Sequence, residues 1–167
     1  VLFRSGLERR HDSREPGPGR HARGAKPLPQ RAQRRRARKS CHAGDIDDLI
    51  VTDTIKKRKP LRAVYGNIDD AKARIEFPLN NRFMCEGVDV LITHIGGYPG
   101  KYNPQIKAEI IANPPKLFIC GHSHILKVMH DKKYNLLHMN PGAAGKSGFH
   151  QVRTMLRFVI DGDKIKD

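Results

Sequence analysis

The sequence predicts an α/β fold in which two sheets carry helices on their outer faces. Short apolar runs each end at a turn, two helical stretches with clear end signals lie among them, and no internal repeat is evident. A first segment of about 40 residues follows different rules and is expected to be disordered.

That segment comes first in the chain. Residues 1–40 contain Pro16, Pro18, Pro27 and Pro29, four glycines, and the run Arg34-Arg35-Arg36-Ala37-Arg38-Lys39. They have neither helical nor strand periodicity, and after Leu7 only Leu28 and a few alanines are apolar. Such a stretch buries too little surface to offset its ordering entropy. Its Arg, Pro, Gly, Ala and His content is also what GC-rich coding DNA yields when translated out of frame. Residues 1–41 are therefore expected to be a disordered tail or an out-of-frame segment, and residues 42–167 the folded domain.

The chain carries a net charge of +15, with 32 Lys and Arg against 17 Asp and Glu. Residues 1–40 hold 13 of those basic and 3 of those acidic residues, so two thirds of the excess lies there. The body is only mildly basic. Nucleic-acid binding is thus expected only through a genuine basic tail, which has no aromatic platform for bases. No stretch approaches the roughly 20 apolar residues of a membrane helix, and no signal peptide is visible. Three scattered cysteines suit neither a disulfide framework nor a zinc ribbon. Cys120, in an apolar run, is expected to be a buried thiol, and a reducing, cytoplasmic setting follows.

The helical and strand elements begin at Asp45. Residues 47–57 form a helix opened by acidic residues and closed by lysines, with Leu49, Ile50, Thr54 and Ile55 on one stripe and Pro60 beyond its end. Strands are expected at 61–65, 88–93, 116–120, 125–129, 136–139 and 152–160. Asp131-Lys132-Lys133 supplies a hairpin connection and Asp161-Gly162 a tight turn. A second helix starts at Asn103-Pro104, runs to about 112, and stops at Pro114-Pro115.

The chemistry-bearing residues sit just after the strands. In order they are His42-Ala43-Gly44-Asp45, Gly66-Asn67-Ile68-Asp69, Thr93-His94, Gly121-His122-Ser123-His124 and Asn140-Pro141-Gly142. Sheet-anchored loops are where layered folds place functional groups. Imidazole with carboxylate suits borderline divalent ions. Glycines before Asp45, Asn67 and His122 let backbone approach such a cluster. Each piece alone has a bland alternative: His94 as a hydrogen-bonded structural histidine, Asn67 as a turn residue, Asp45 as helix N-terminal charge.

Together, in this order, Gly-Asp, Gly-Asn-x-Asp, Thr-His and Gly-His-x-His resemble the motif series of the calcineurin-like metallophosphoesterases. The following Asn-Pro-Gly is similar to their small bacterial and archaeal phosphodiesterase branch. The resemblance covers about residues 42–167. It implies a β-sandwich flanked by helices, with two metals at one edge of the sheets. It also implies hydrolysis of phosphate esters by hydroxide generated at those metals.

By that resemblance Asp45 bridges the metals, and Asn67, His94 and His122 join it around one of them. His124 binds the other. Asp69 and His94 are the catalytic candidates, Asp69 orienting water or the leaving group. Asn67 and Tyr98 are the substrate-binding candidates, Tyr98 from a Gly/Pro loop that either borders the substrate or is an ordinary connection. Asn140 and Gly142 shape the neighbouring loop. The implied ions are Mn²⁺ first, with Ni²⁺, Fe²⁺ or Zn²⁺ as alternatives, and the implied substrate is a small phosphodiester or phosphomonoester.

One departure stands out. The family opens with an apolar strand ending in Asp-x-His, and nothing in residues 1–41 has that form; His11-Asp12 reverses the order. The first strand, first helix and much of the second strand are accordingly expected to be missing, leaving an exposed sheet edge. One metal at most and impaired hydrolysis are expected. A non-catalytic protein-interaction scaffold on the same fold is the alternative, although it has no need of five converging ligands.

Overall fold

The computed structural model describes residues 2–5 and 39–166. In chain order the elements are β1 (Leu2–Ser5), β2 (Lys39–Ala43), α1 (Leu49–Lys56), β3 (Leu61–Val64), α2 (Ala71–Glu76), β4 (Asn80–Cys85), β5 (Val88–Thr93), β6 (Gly97–Tyr98), β7 (Lys101–Tyr102), α3 (Pro104–Ala112), β8 (Leu117–Ile119), β9 (Leu126–Asp131), β10 (Leu136–Pro141), β11 (Arg157–Asp161) and β12 (Lys164–Lys166).

Alternation along the strands creates the layers. Val90 and Ile92 of β5, with Leu117 and Ile119 of β8, turn to one face of their sheet. There they meet Cys41, Ala43, Val64, Phe158 and Ile160 of the other sheet in a single buried cluster. Leu91 and Phe118 turn to the opposite face, against Ile106 and Ile110 of α3. On the far side of the other sheet, Ala63 packs with Ile46, Phe77 and Leu49 of α1. The result is the helix-flanked β-sandwich that the sequence predicts. One sheet has the order β12-β11-β1-β2-β3 and the other β4-β5-β8-β10-β9; β6 and β7 form a separate ribbon.

The predicted end signals act as expected. Asp48 caps α1 by accepting from the Ile50 N–H, and Asn103 caps α3 by accepting from the Gln105 N–H, with Pro104 in its first turn. Asp131 turns the chain between β9 and β10, where its carboxylate accepts from the Lys133 N–H at 2.8 Å and the Tyr102 hydroxyl at 2.6 Å. All three cysteines are buried, and none is in a disulfide. Burial pushes the Cys120 thiol up to about 12, which keeps it protonated. No helix among the described residues is long and apolar enough to cross a membrane.

Four features depart from the sequence reading. First, Leu2–Ser5 forms a strand between β2 and β11, antiparallel to the former and parallel to the latter. The slot expected to be empty is thus filled, because interior strand edges carry backbone donors and acceptors that demand partners. Second, β2 begins at Lys39, three residues before the expected start of the domain at residue 42, and runs parallel to β3. Third, α2 and β4 were not foreseen. Fourth, the last long strand is shorter than the expected 152–160: β11 starts at Arg157, and Thr154 instead bonds Ala143 and Pro141 across a loop. The expectation of disorder over residues 6–38 lies outside the described residues.

Candidate metal centre

The strands deliver their C-terminal loops to one edge of the sandwich. Parallel pairing of β2 with β3 sets Gly44-Asp45 beside Gly66-Asn67, and parallel pairing of β5 with β8 sets His94 beside Gly121-His122. Ligand atoms of Asp45, His94 and His122 all fall within 4.8 Å of one another, although these residues lie far apart in the chain.

The close approach requires glycine at Gly44. Its φ is +86°, and a Cβ there would lie 2.5 Å from His94 Nδ1 and 2.9 Å from the Gly66 Cα. A Cβ on Gly66 would in turn overlap the Asp45 carboxylate. Asp45, His122 and His124 also adopt positive φ, at 55°, 65° and 58°, without being glycine. Such strain in side-chain-bearing residues persists only where surrounding contacts enforce it.

Those contacts are on hand. The Asp69 carboxylate is buried and accepts from the Ile46 N–H at 2.7 Å, the Asp47 N–H at 3.0 Å and the Gly66 N–H at 2.6 Å. It therefore ties the Asp45 loop to the Asn67 loop. Asn140 does the same for the histidine turn, donating to the Gly121 carbonyl at 2.8 Å and the Ser123 hydroxyl at 3.0 Å. This is the loop-shaping expected of it. Gly142 follows at φ +72°, its N–H donating to Asn140 Oδ1.

The charge arrangement at the centre is unusual. His94 is 3% exposed, and its Nδ1 lies 2.6 Å from the Ala43 carbonyl, so Nδ1 carries the proton and donates. Nε2 faces two oxygens, Asn67 Oδ1 at 2.9 Å and Asp45 Oδ1 at 3.1 Å. In a neutral ring the Nε2 lone pair and these two oxygens turn toward one point that a cation would share; in a protonated ring Nε2–H donates to them. His122 Nδ1 adds a fourth donor atom, 2.9 Å from the same Asn67 oxygen. One carboxylate, one amide oxygen and two imidazoles suit a borderline divalent ion, and the residues present fit one. The metal would be held by Asp45, Asn67, His94 and His122.

The other predicted residues are placed differently. His124 stands outside the triad and meets His150, Nδ1 to Nδ1 at 3.1 Å. Asp69, expected to orient water, spends its oxygens on backbone N–H groups. Tyr98 lines a cavity of about 400 Å³ that also touches His122, Ser123, Lys101 and Lys127. The Lys127 ammonium sits 4.6 Å over the Tyr98 ring. His42 lies just inside the centre. Burial pushes its pKa down to about 4, and its Nδ1 is buried with no partner among the described residues.

Sequence reasoning missed His150, Lys127 and His138. His138 sits in the cavity wall, with Nε2 3.0 Å from the Gly97 carbonyl and 3.3 Å from Cys120 Sγ. Only His138 carried a signal, as a polar residue inside the apolar run 136–139. His150 lies in an irregular loop, and only the fold brings it to His124.

With this geometry in view, comparison with known proteins is informative. The calcineurin-like phosphoesterase superfamily domain matches residues 20–163. No curated protein sequence matches. Among solved structures, a single mutant of Vps29 from Entamoeba histolytica is 15% identical with a TM-score of 0.61, covering 98% of this chain and 87% of that one. Wild-type Vps29 complexed with Zn²⁺ from the same organism is 15% identical with a TM-score of 0.57, covering 94% and 81%. A novel archaeal phosphodiesterase is 19% identical with a TM-score of 0.52, covering 65% and 68%. At these identities the likeness speaks for the shared fold.

Proposed function

Because the chain belongs to the calcineurin-like phosphoesterase superfamily, we propose that it is a metal-dependent phosphoesterase acting on small phosphodiesters or phosphomonoesters at the Asp45 centre. The observation that carries this is the convergence of Asp45 Oδ1, Asn67 Oδ1, His94 Nε2 and His122 Nδ1, a donor set that suits a divalent cation. An ion held there, with Mn²⁺ the first candidate, supplies Lewis acidity toward a phosphoryl oxygen and acidifies water.

The chain's own residues supply the rest. Asp45 contributes the negative charge, and Asn67 an amide group at the exposed side where substrate enters. His94 is locked by Ala43 with Nε2 toward the centre. Asp69 acts as a positioning residue that holds both ligand loops. The ester's organic group lies in the cavity beside His122, where Tyr98 offers a ring face and Lys101 and Lys127 offer positive charge to the phosphate.

The test is hydrolysis of bis(p-nitrophenyl) phosphate with added Mn²⁺. Activity that appears with Mn²⁺, disappears with chelator and falls at least 100-fold in Asp45→Asn supports the assignment. Activity unchanged by Asp45→Asn overturns it. The scaffold reading predicts the remaining outcome, in which Mn²⁺ binds through Asp45 with no turnover on any phosphate ester.

A further inference from the structure

Outside the Asp45 centre, the described residues contain a second convergence of imidazoles, between the histidine turn and the loop after β10. Resting on the metallophosphoesterase reading above, we infer that His150, paired with His124, is a metal ligand, and that the two form a separate divalent-cation site beside the first. This goes beyond the one-ion expectation that the missing Asp-x-His motif sets.

The geometry between the rings carries the inference. The two Nδ1 atoms are 3.1 Å apart, and the ring centroids 4.9 Å apart at an interplanar angle of 83°. With metal–nitrogen bonds of about 2.05 Å, nitrogens at that separation subtend roughly 98° at a shared ion, between octahedral and tetrahedral values. Taking a ring radius of about 1.15 Å, two rings aimed at that ion have centroids about 4.8 Å apart, whereas a collinear N–H···N bond places them about 5.4 Å apart. The observed spacing is closer to convergence on a common point than to a collinear bond.

Two further features prepare the pair. His150 Nε2 donates to the Gly145 carbonyl at 2.9 Å, which fixes the ring with Nδ1 turned toward His124 Nδ1. A metal-ligating histidine usually has its other ring nitrogen fixed in this way. At Gly148, φ is +126°, and a Cβ would overlap His124 Nδ1 and come within 3.0 Å of His150 Nδ1. The absent methyl leaves room next to both nitrogens. The loop itself is closed at its base, where Thr154 donates its N–H to Ala143 at 2.8 Å and its hydroxyl to Pro141 at 2.7 Å. That closure returns His150 to within reach of His124.

The ion that suits two imidazoles with otherwise open positions is Zn²⁺, Ni²⁺ or Cu²⁺ rather than Mg²⁺ or Ca²⁺. Binding requires both Nδ1 atoms to be unprotonated, with the His124 ring proton on Nε2.

The probe is Zn²⁺ alone, titrated calorimetrically into the full chain after chelator treatment. Wild type is expected to bind two ions per chain. His150→Gln should lose one class of site, or weaken it at least tenfold, and keep the other; Asp45→Asn should show the converse. Long-range ¹H–¹⁵N spectra of the wild-type imidazoles read the same event without a variant, since the His150 Nδ1 resonance should shift with one Zn²⁺ equivalent. If His150→Gln leaves every site within twofold and the His150 resonance stays fixed under excess Zn²⁺, the inference falls while the Asp45 centre stands. If the His150 site responds and Asp45→Asn changes nothing, the inference stands and the Asp45 assignment falls.

Discussion

Asp69 offers the sharpest test of how this centre is held. Replacing Asp69 with Asn keeps the size and one carbonyl oxygen. That oxygen can still accept from the Ile46 and Asp47 N–H groups, but the new amide nitrogen then faces the Gly66 N–H, where a bond of 2.6 Å now exists. One charge-assisted hydrogen bond is lost, about 1.5–3 kcal/mol, and a buried N–H is left unpaired, about 1–3 kcal/mol. A loss of about 3–5 kcal/mol is expected, a large part of the roughly 5–15 kcal/mol typical of a folded domain. The loops that carry Asp45 and Asn67 are the ones released, so Mn²⁺ affinity should fall at least tenfold as well. Urea unfolding in chelator reads the first effect, and calorimetric Mn²⁺ titration the second. Should turnover fall while the unfolding midpoint and Mn²⁺ affinity both stay at wild-type values, the positioning role is refuted. Asp69 would then act on the reacting atoms, as the motif comparison by itself suggested.

Two other perturbations follow from the same geometry. Gly44→Ala places a methyl 2.5 Å from His94 Nδ1 on a backbone at φ +86°, so the His94–Ala43 bond must break. Mn²⁺ binding is expected to weaken at least tenfold with only modest loss of secondary structure by circular dichroism. His42 predicts a pH dependence: its folded pKa of about 4 lies below the unfolded value of 6.5, so the unfolded chain takes up the extra proton first as pH falls. Its stability contribution is complete above about pH 6.5 and is lost down to about pH 4, by on the order of 2–3 kcal/mol. Urea midpoints measured across that range should flatten in His42→Asn.

The sequence exposed those parts of the fold whose signals are local. The acidic residues that open α1 and the Asn103-Pro104 start of α3 announced those helices because a helix N-terminus is satisfied by residues next to it. The apolar runs of β5 and β8 were visible because both faces of that sheet are covered, by the other sheet on one side and by α3 on the other. The strand β4, Asn80–Cys85, has no such run. It is an edge strand, and its form comes from pairing with β5 through Phe83↔Val90 and its neighbours. The helix α2 is six residues long and buries only Ala73, so it has no stripe to detect.

The site divides in the same way. Asp45, Asn67, His94 and His122 were legible because each follows a strand beside a glycine or small residue, and strand ends in parallel pairs must lie together. Their order along the chain, with their residue types, points to divalent-ion chemistry. Which atoms face one another was not legible. That His94 turns Nε2 outward depends on the Ala43 carbonyl, and that Asp69 clamps two loops depends on three N–H groups converging on its carboxylate. The strand Leu2–Ser5 between β2 and β11, and the meeting of His124 with His150, join segments with no shared local pattern. Local propensity and motif spacing act over a few residues, so they decided the helices, the buried strands and the candidate ligands. Contacts between distant segments exist only once the sheets have stacked, so the tertiary structure alone decided the tautomers, the clamps and the second histidine pair.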